Sequence, residues 1–305
     1  MSFKILFMGT PEFSVPILKS VFETNNEILE VYSQPPKKKN RGQKFINSPI
    51  HEYSKKLNIT VRNPSILDDE EIDHIEKLNP DLVIVVAYGK ILPKKLLNLE
   101  NILFINVHAS LLPKWRGAAP IQRAIMNMDQ ETGVSIMKIV PELDAGPVLI
   151  QSKIKITKEI NYKELTGKMS ELGAKLILDT LKLIEDKKVN FIDQNESEAT
   201  YAKKIEKKET KLNWNDDADK VIAKINAFCP NPGSWFELNG IRIKIIKAKE
   251  VIRKGMPGEI LNEKFTIACL KNAVQIIELQ KEGKQKITVD EFLRGNKIKI
   301  GQILN

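Results

Sequence analysis

Asn106 and His108 stand two residues apart in the run Ile102-Leu103-Phe104-Ile105-Asn106-Val107-His108-Ala109-Ser110-Leu111-Leu112-Pro113. In a strand this spacing puts the amide and the imidazole on one side and Val107 on the other. Two polar side chains on one face of an apolar strand conflict with simple core packing. Further on, Val140-Pro141-Glu142-Leu143-Asp144-Ala145-Gly146-Pro147 is rich in turn residues and carries a carboxylate. The three groups together suit acyl chemistry. The amide holds a carbonyl oxygen, the imidazole moves a proton near neutrality, and the carboxylate orients the imidazole. The structural alternatives are a satisfied core histidine at His108 and an Asp144 that caps its own turn at Ala145-Gly146. A Ser or Cys nucleophile is not evident, because Ser110 lacks an elbow turn and a separate His. His51, His74 and His108 are scattered, so no metal is expected, and His51 and His74 are expected at the surface.

The elements that position these groups follow from hydrophobic periodicity. Lys4 to Met8, Ile28 to Ser33, Ile59 to Val61, Leu82 to Ala87 and Leu103 to Val107 read as strands. The fourth of these is apolar throughout, the mark of a strand covered on both faces. Helical spacing recurs over Phe13 to Phe22, Ser48 to Leu57 and Asp69 to Leu78, whose acids sit in the first turn and suit the helix dipole. The alternation predicts a mostly parallel, Rossmann-like α/β sheet with helices on both sides. Ligands bind such sheets at the carboxyl ends of the strands, where Asn106 and His108 fall. Dinucleotide binding is not supported: Gly9-Thr10-Pro11-Glu12-Phe13 lacks the glycine spacing, and Pro11 removes an N–H. Val148 to Ile156 reads as extended and Tyr162 to Asp186 as a long amphipathic helix. Residues 187–212 are polar and charged. Beyond a helical piece at 216–228, short extended runs with frequent turns predict a small β-barrel.

At 305 residues the chain suits two domains, and 42% apolar residues suffice for two cores. The division expected is 1–189 for a catalytic domain, 190–211 for a linker and 212–305 for the barrel. No apolar run approaches the roughly 20 residues of a bilayer span. Cys229 and Cys269 lack metal-ligand spacing and read as reduced thiols of a cytoplasmic protein. From residue 200 onward there are 21 Lys and Arg against 13 Asp and Glu, whereas the rest of the chain carries 27 against 26. Nearly the whole surplus of +9 therefore sits in the last third. This segregation suits an appended module that faces a polyanion. A second basic stretch, residues 34–44, holds Lys37, Lys38, Lys39, Arg41 and Lys44 with no acid. It leaves the end of the second strand, where a basic loop can reach phosphates; a solvated surface loop is the plainer reading.

The segment after His108 carries a resemblance. Asn106-x-His108, Ser110-Leu111-Leu112-Pro113, Arg116-Gly117-Ala118-Ala119-Pro120-Ile121 and Leu143-Asp144-Ala145-Gly146 occur in the order found in the methionyl-tRNA formyltransferases. These belong to the larger group of enzymes that use 10-formyltetrahydrofolate. The resemblance spans nearly the whole chain and is looser after Lys247. It implies an OB-like barrel at the C-terminus, entered through Cys229-Pro230-Asn231-Pro232-Gly233-Ser234-Trp235-Phe236. It implies formyl transfer from 10-formyltetrahydrofolate to methionyl initiator tRNA, with Asn106, His108 and Asp144 as the catalytic residues. Asn106 would donate to the developing oxyanion; either His108 or Asp144, the latter through a water, would take the proton from the attacking amine. The folate site would use Tyr88, Gly89, Ile91, Leu92, Ser110, Leu111, Leu112 and Pro113. The basic loop would enter the tRNA acceptor arm, although Pro36-Lys37-Lys38-Lys39 departs from the family's usual Asp-Arg pattern. Lys203, Lys204, Lys207 and Lys208 would bind tRNA as well, with no membrane partner and the protein acting as a monomer. An N-formyltransferase of amino sugar nucleotides is the alternative; it needs neither the basic barrel nor the loop. A glycinamide ribonucleotide enzyme would need a single domain of about 200 residues. An RNA-binding protein with a redundant site is a third reading, disfavoured by the complete Asn106, His108 and Asp144 set.

Overall fold

A computed structural model describes residues 2–39 and 44–304 of the chain, without the side chains of Lys39 and Lys44. It divides into two compact units: Met1–Gly117 with Gly133–Ile154 and Thr166–Tyr201, and Ala118–Thr132 with Lys155–Leu165 and Ala202–Asn305.

In the first unit, β1 (Lys4–Gly9), α1 (Val15–Phe22), β2 (Glu27–Tyr32), β3 (Lys37–Lys39), β4 (Lys44–Ile46) and α2 (Pro49–Lys56) come first in the chain. They are followed by β5 (Val61–Arg62), α3 (Asp69–Leu78), β6 (Leu82–Val86), α4 (Lys94–Leu97), β7 (Leu103–His108) and the two-residue β8 (Arg116–Gly117). The next helix, α5 (Pro120–Met126), belongs to the second unit; most of the strands β9 (Glu131–Lys138) and β10 (Val148–Lys155), most of the long α6 (Tyr162–Glu185) and the first residue of the two-residue β11 (Tyr201–Ala202) complete the first. The sheet runs β10-β9-β7-β6-β1-β2-β5. β1 pairs in parallel with β2 and β6, β2 with β5, and β6 with β7; β9 lies antiparallel on β7. β6 is buried at every position, as its unbroken apolar run requires. The α2 and α3 helices start where Ser48 and Asp68 accept from the backbone N–H groups of His51 and Glu71, caps worth about 1 kcal/mol each.

The expected surface placement of His51 and His74 needs correction. His51 is 8% exposed, because the inner face of α2 presents Ile50, His51 and Ser54 to the core. Burial pushes its imidazole below the ordinary range. His74 is half-buried, with Nε2 3.0 Å from Glu30 Oε2. The basic stretch also has more order than a bare loop, since β3 and β4 pair antiparallel from Lys37 with Ile46 to Lys39 with Lys44. Residues 194–201, which fall inside the expected linker, are part of the first unit.

The second unit holds α7 (Ala218–Phe228), the strands β12 (Ser234–Leu238), β13 (Ile241–Val251), β14 (Ile260–Asn262), β15 (Thr266–Ala268), β16 (Ala273–Lys281) and β17 (Lys286–Thr288), and α8 (Val289–Gly295). The order is β12-β13-β16-β15-β14, with β17 beside β16, and the neighbours are antiparallel. Register shifts on either side of Lys247 bend β13, as bulges do, and the sheet curls into a half-barrel. Trp214, Phe236, Phe265 and Phe292 fill it, with successive ring centroids 5.6, 6.0 and 5.8 Å apart. Among the described residues, no helix is long and apolar enough to cross a membrane.

Candidate active site

Strand β7 carries Asn106 and His108 to the carboxyl end of the sheet. Its opposite face, at Val107, packs under α6, where a Cβ on Gly173 would sit 3.2 Å from Val107 Cγ1. The helix thus lies tight against one face, leaving the polar pair on the other. The Asn106 amide makes no hydrogen bond to the described residues. His108 is 6% exposed, and its Nε2 lies 3.0 Å from the carbonyl of Trp115. A carbonyl only accepts, so Nε2 carries the proton and Nδ1 keeps the lone pair in the neutral ring. Asp144 faces that nitrogen, with Oδ2 3.6 Å from Nδ1, beyond ordinary hydrogen-bond length. The tautomer is therefore set by Trp115 and not, as expected, by the carboxylate. Asp144 Oδ2 instead accepts from the backbone N–H of Gly117 at 2.8 Å.

The Asp144 turn is closely determined. Asp144 adopts a left-handed φ of 48°. A Cβ on Gly146 would fall 1.9 Å from the carbonyl oxygen of Lys138, so the chain passes there only as glycine. Gln194 donates from Nε2 to the carbonyls of Asp144 at 2.9 Å and Gly146 at 2.7 Å. Its Oε1 accepts from Arg116 Nε and Nη2 at 3.0 and 2.9 Å. The guanidinium is 2% exposed and also forks onto Glu196 at 2.9 and 2.6 Å. Those bonds hold it above its ordinary range and Glu196 below the usual carboxylate range. Thr200 fixes the same stretch, accepting from Trp115 N–H through Oγ1 and from Arg116 N–H through its carbonyl, each at 2.8 Å.

The expected folate residues divide by environment. The Tyr88 ring is buried in the core with Leu6, Met8, Tyr32 and Phe104, and burial pushes its hydroxyl up to about 12. Its carbonyl accepts from Thr10 Oγ1 at 2.8 Å and Gln34 Nε2 at 3.2 Å, and Gln34 also reaches the Gly89 carbonyl at 2.9 Å. Gly89 has φ 80°, and a Cβ there would lie 2.3 Å from Gln34 Nε2. Ile91 is 88% exposed, whereas Leu92 is buried. On the other loop, Ser110 and Leu112 are buried and Leu111 is half-buried. Ser110 Oγ donates to the Lys114 carbonyl, and Leu112 is clamped through its N–H by Ser135 Oγ at 3.1 Å and through its carbonyl by Gln151 Nε2 at 2.7 Å. Pro113 accepts from Thr200 N–H. Both loops are thus held from beneath.

Of the expected basic residues, Lys37, Lys38, Lys203, Lys204, Lys207 and Lys208 are exposed. Arg41 lies outside the described residues, as do the side chains of Lys39 and Lys44. Lys38 Nζ lies 5.6 Å from the ring centroid of Phe45, which is 70% exposed on the same hairpin. In the second unit, Arg123 bonds to the Lys203 carbonyl at 3.0 Å and pairs with Glu209 at 2.6 Å, buttressing the backbone of the lysine stretch. Trp235 carries Arg242 3.8 Å and Lys211 5.8 Å from its ring centroid.

Sequence reasoning missed Gln194, the Arg116 side chain, the Trp115 carbonyl, Thr200, Ser135 and Gln151. Arg116, inside an otherwise apolar motif, was the available signal. Gln194 sits in a polar stretch with nothing local to single it out.

The formyl transferase family model matches residues 3–181, and the model of the formyl transferase C-terminal domain matches residues 204–297. Methionyl-tRNA formyltransferase of Pelagibacter ubique is 48% identical over 301 residues, covering 98% of this chain and 97% of that one. The enzyme of the same name from Paramagnetospirillum magneticum is 41% identical over 303 residues, covering 99% of each. Among solved structures, HypX from Aquifex aeolicus in complex with tetrahydrofolic acid superposes with TM-score 0.69 at 19% identity, over 99% of this chain and 51% of that one. The N-formyltransferase from Helicobacter canadensis, in complex with folinic acid and dTDP-3-aminofucose, gives 0.68 at 18%, over 93% of this chain and all of that one.

Proposed function

The chain belongs to the formyl transferase family, and from that premise we propose that it formylates the α-amino group of methionyl initiator tRNA with 10-formyltetrahydrofolate as donor. The observation that carries this reading is the convergence of Asn106, the Nδ1 face of His108 and Asp144 at the end of β7, in a chain alike over its full length to methionyl-tRNA formyltransferases. The sugar N-formyltransferases are similar at 18% identity, which bears on fold and not on substrate. In this reading the protein works in the cytoplasm, as a role in translation initiation suits, and as a monomer.

Formyl transfer needs a free amine, a held carbonyl oxygen and an exit for one proton. The methionyl nitrogen attacks the formyl carbon, and the carbonyl becomes an oxyanion. The Asn106 amide, with no other partner to give up, donates to that oxygen; one such donor supplies on the order of 3 kcal/mol in acyl-transfer sites. The new ammonium loses its proton to Nδ1 of His108, whose lone pair is kept by the Nε2–H bond to Trp115. Asp144 stabilises the imidazolium across the gap, which closes as the charge appears. Collapse breaks the bond from the formyl carbon to N10 of the folate, and N10 takes up the proton that the His108 imidazolium gives back, which restores the neutral ring. The products are formyl-methionyl-tRNA and tetrahydrofolate.

The folate lies along residues 88–92 and 110–113. Thr10, Gln34, Ser135 and Gln151 set these loops in advance, so that binding orders little chain. Ile91, exposed on the first loop, offers an apolar wall for a flat ring. The tRNA is held by the basic stretch that contains Lys37, Lys38, Lys39, Arg41 and Lys44 and by Lys203, Lys204, Lys207 and Lys208. Phe45, exposed among these cations, is a stacking surface for a nucleobase.

Mixing the protein with 10-formyltetrahydrofolate and a set of charged tRNAs, followed by acid-gel separation, tests the assignment. Formylation confined to initiator Met-tRNA is expected. No formylation of any tRNA, with donor consumed only on addition of amino sugar nucleotides, would overturn it.

A further inference from the structure

We propose that Gln194 is a positioning residue for this reaction: gripped by the buried Arg116, it holds the Asp144 turn and thereby sets the distance between Asp144 and His108. The inference rests on the formyl-transfer reading of the site and assigns a task to a residue outside it.

All the hydrogen-bonding capacity of the Gln194 amide is committed. Its oxygen takes two bonds from Arg116, and its nitrogen gives two, to the carbonyls of Asp144 and Gly146. These carbonyls flank Ala145 in the turn that presents the carboxylate. Asp144 sits in the left-handed region, a conformation that a residue with a side chain holds only when its surroundings determine it. The Gln194 bonds, with the close pass of Gly146 over Lys138, supply that determination.

Arg116 ties the same brace to the imidazole. The preceding residue, Trp115, gives the carbonyl that fixes the His108 tautomer; the following residue, Gly117, gives the N–H that fixes Asp144 Oδ2. One tripeptide therefore places both groups. Its side chain is anchored by Gln194 and Glu196, and its backbone by Thr200. The 3.6 Å between Nδ1 and Oδ2 is the dependent quantity. With the two side chains only 6% and 15% exposed, water screens their interaction weakly, and a misplacement of about 1 Å can cost about 10²-fold in rate.

Two substitutions separate positioning from mere anchoring. Gln194→Glu keeps an oxygen for the Arg116 fork but turns a second carboxylate oxygen toward the two carbonyls. Gln194→Met, uncharged and of similar volume, loses both sets of bonds. Positioning predicts that each lowers kcat at least tenfold, with KM for donor and tRNA within twofold of wild type and Tm within a few degrees. Lys188→Gln, at an exposed side chain bonded to Asp186, keeps kcat. The ¹⁵N signals of the His108 ring, recorded without substrate, shift in both Gln194 variants and stay in place in Lys188→Gln. A Met variant with wild-type kcat overturns the proposal. So does a Glu variant that is fully active beside an inactive Met variant, because Gln194 then only anchors Arg116. Failure of both to fold assigns Gln194 to the stability of the domain and overturns it equally. A wild-type protein that formylates no tRNA refutes the formyl-transfer reading instead, while the imidazole signals still report whether Gln194 sets the site's geometry.

Discussion

His108 donates from Nε2 to the carbonyl of Trp115 at 3.0 Å, and this bond turns Nδ1 toward Asp144 Oδ2 at 3.6 Å. In a Ser-His-Asp triad the carboxylate holds Nδ1–H and the opposite nitrogen takes the proton. Here the backbone holds the N–H, so the nitrogen with the free lone pair is the one facing the carboxylate. In the proposed reaction the new charge would form directly against Asp144, and the carboxylate has no hydrogen bond to the neutral ring to lose.

Asp144→Asn should therefore separate charge from shape. An asparagine Oδ1 still accepts from the Gly117 N–H, and Gln194 still holds the two carbonyls of the turn. The fold should persist, with Tm within a few degrees. The reaction loses the group that stabilises the imidazolium, and kcat should fall by about 10²–10⁴, the range of general acid–base contributions. Single-turnover formylation beside thermal unfolding checks both parts. A variant within tenfold of wild type would mean that the carboxylate does not act in the proton transfer.

Asn106→Ala tests the oxyanion donor. Because the amide has no partner among the described residues, its removal leaves nothing unsatisfied and should cost little stability. Loss of one preorganised donor should lower kcat by about 10²–10³, with KM for 10-formyltetrahydrofolate close to wild type. A raised KM at constant kcat would instead make Asn106 a ground-state contact.

The sheet strands and the helices between them were legible because each is a run with one clear period. Asn106 and His108 were legible because they break the apolar pattern of a strand the fold buries. What was not legible was whatever acts through backbone atoms or across long separations. The Trp115 carbonyl has no side-chain signature, and Gln194 is 78 residues from the guanidinium that holds it. His51 was misjudged because its neighbours in sequence are polar, whereas α2 turns it inward with Ile50 and Ser54. The basic hairpin was missed because Lys37-Lys38-Lys39 has no alternation to mark a strand; its pairing is made by a partner only a few residues on.

The cluster of Glu71, Arg62 and Tyr32 at the far edge of the sheet predicts a pH dependence of stability. Arg62 bonds to Glu71 at 2.6 Å and Tyr32 Oη donates to it at 3.0 Å. The Arg62 bond, foremost, holds the Glu71 carboxyl below the usual carboxylate range. A carboxyl depressed in the folded state stabilises above its unfolded value, near 4.3, and the stability is lost as pH falls through the folded value. Tm of the wild type should therefore drop steeply below about pH 4. Glu71→Gln should be less stable at pH 7 and flatter on the acid side. Parallel acid limbs in the two proteins would show that the cluster is not linked to folding.

Binding of tRNA should separate into a salt-dependent and a salt-independent part. In the proposed complex the exposed lysines at 37, 38, 203, 204, 207 and 208 would reach phosphates, and each such contact releases a condensed counterion. Affinity should therefore fall linearly with salt on logarithmic axes, and replacing Lys203 and Lys204 together by Ala should reduce the slope by roughly two. kcat and KM for the formyl donor should hold, since neither lysine is among the residues proposed for the acyl chemistry. Phe45→Ala should act differently. Stacking of a base on an aromatic ring contributes about 1–3 kcal/mol and displaces no counterion, so affinity should drop by roughly tenfold or more at every salt concentration with the slope unchanged. A Phe45→Ala variant that binds as wild type, or that changes the slope in the manner of a lysine, would show that the ring only shields Lys38.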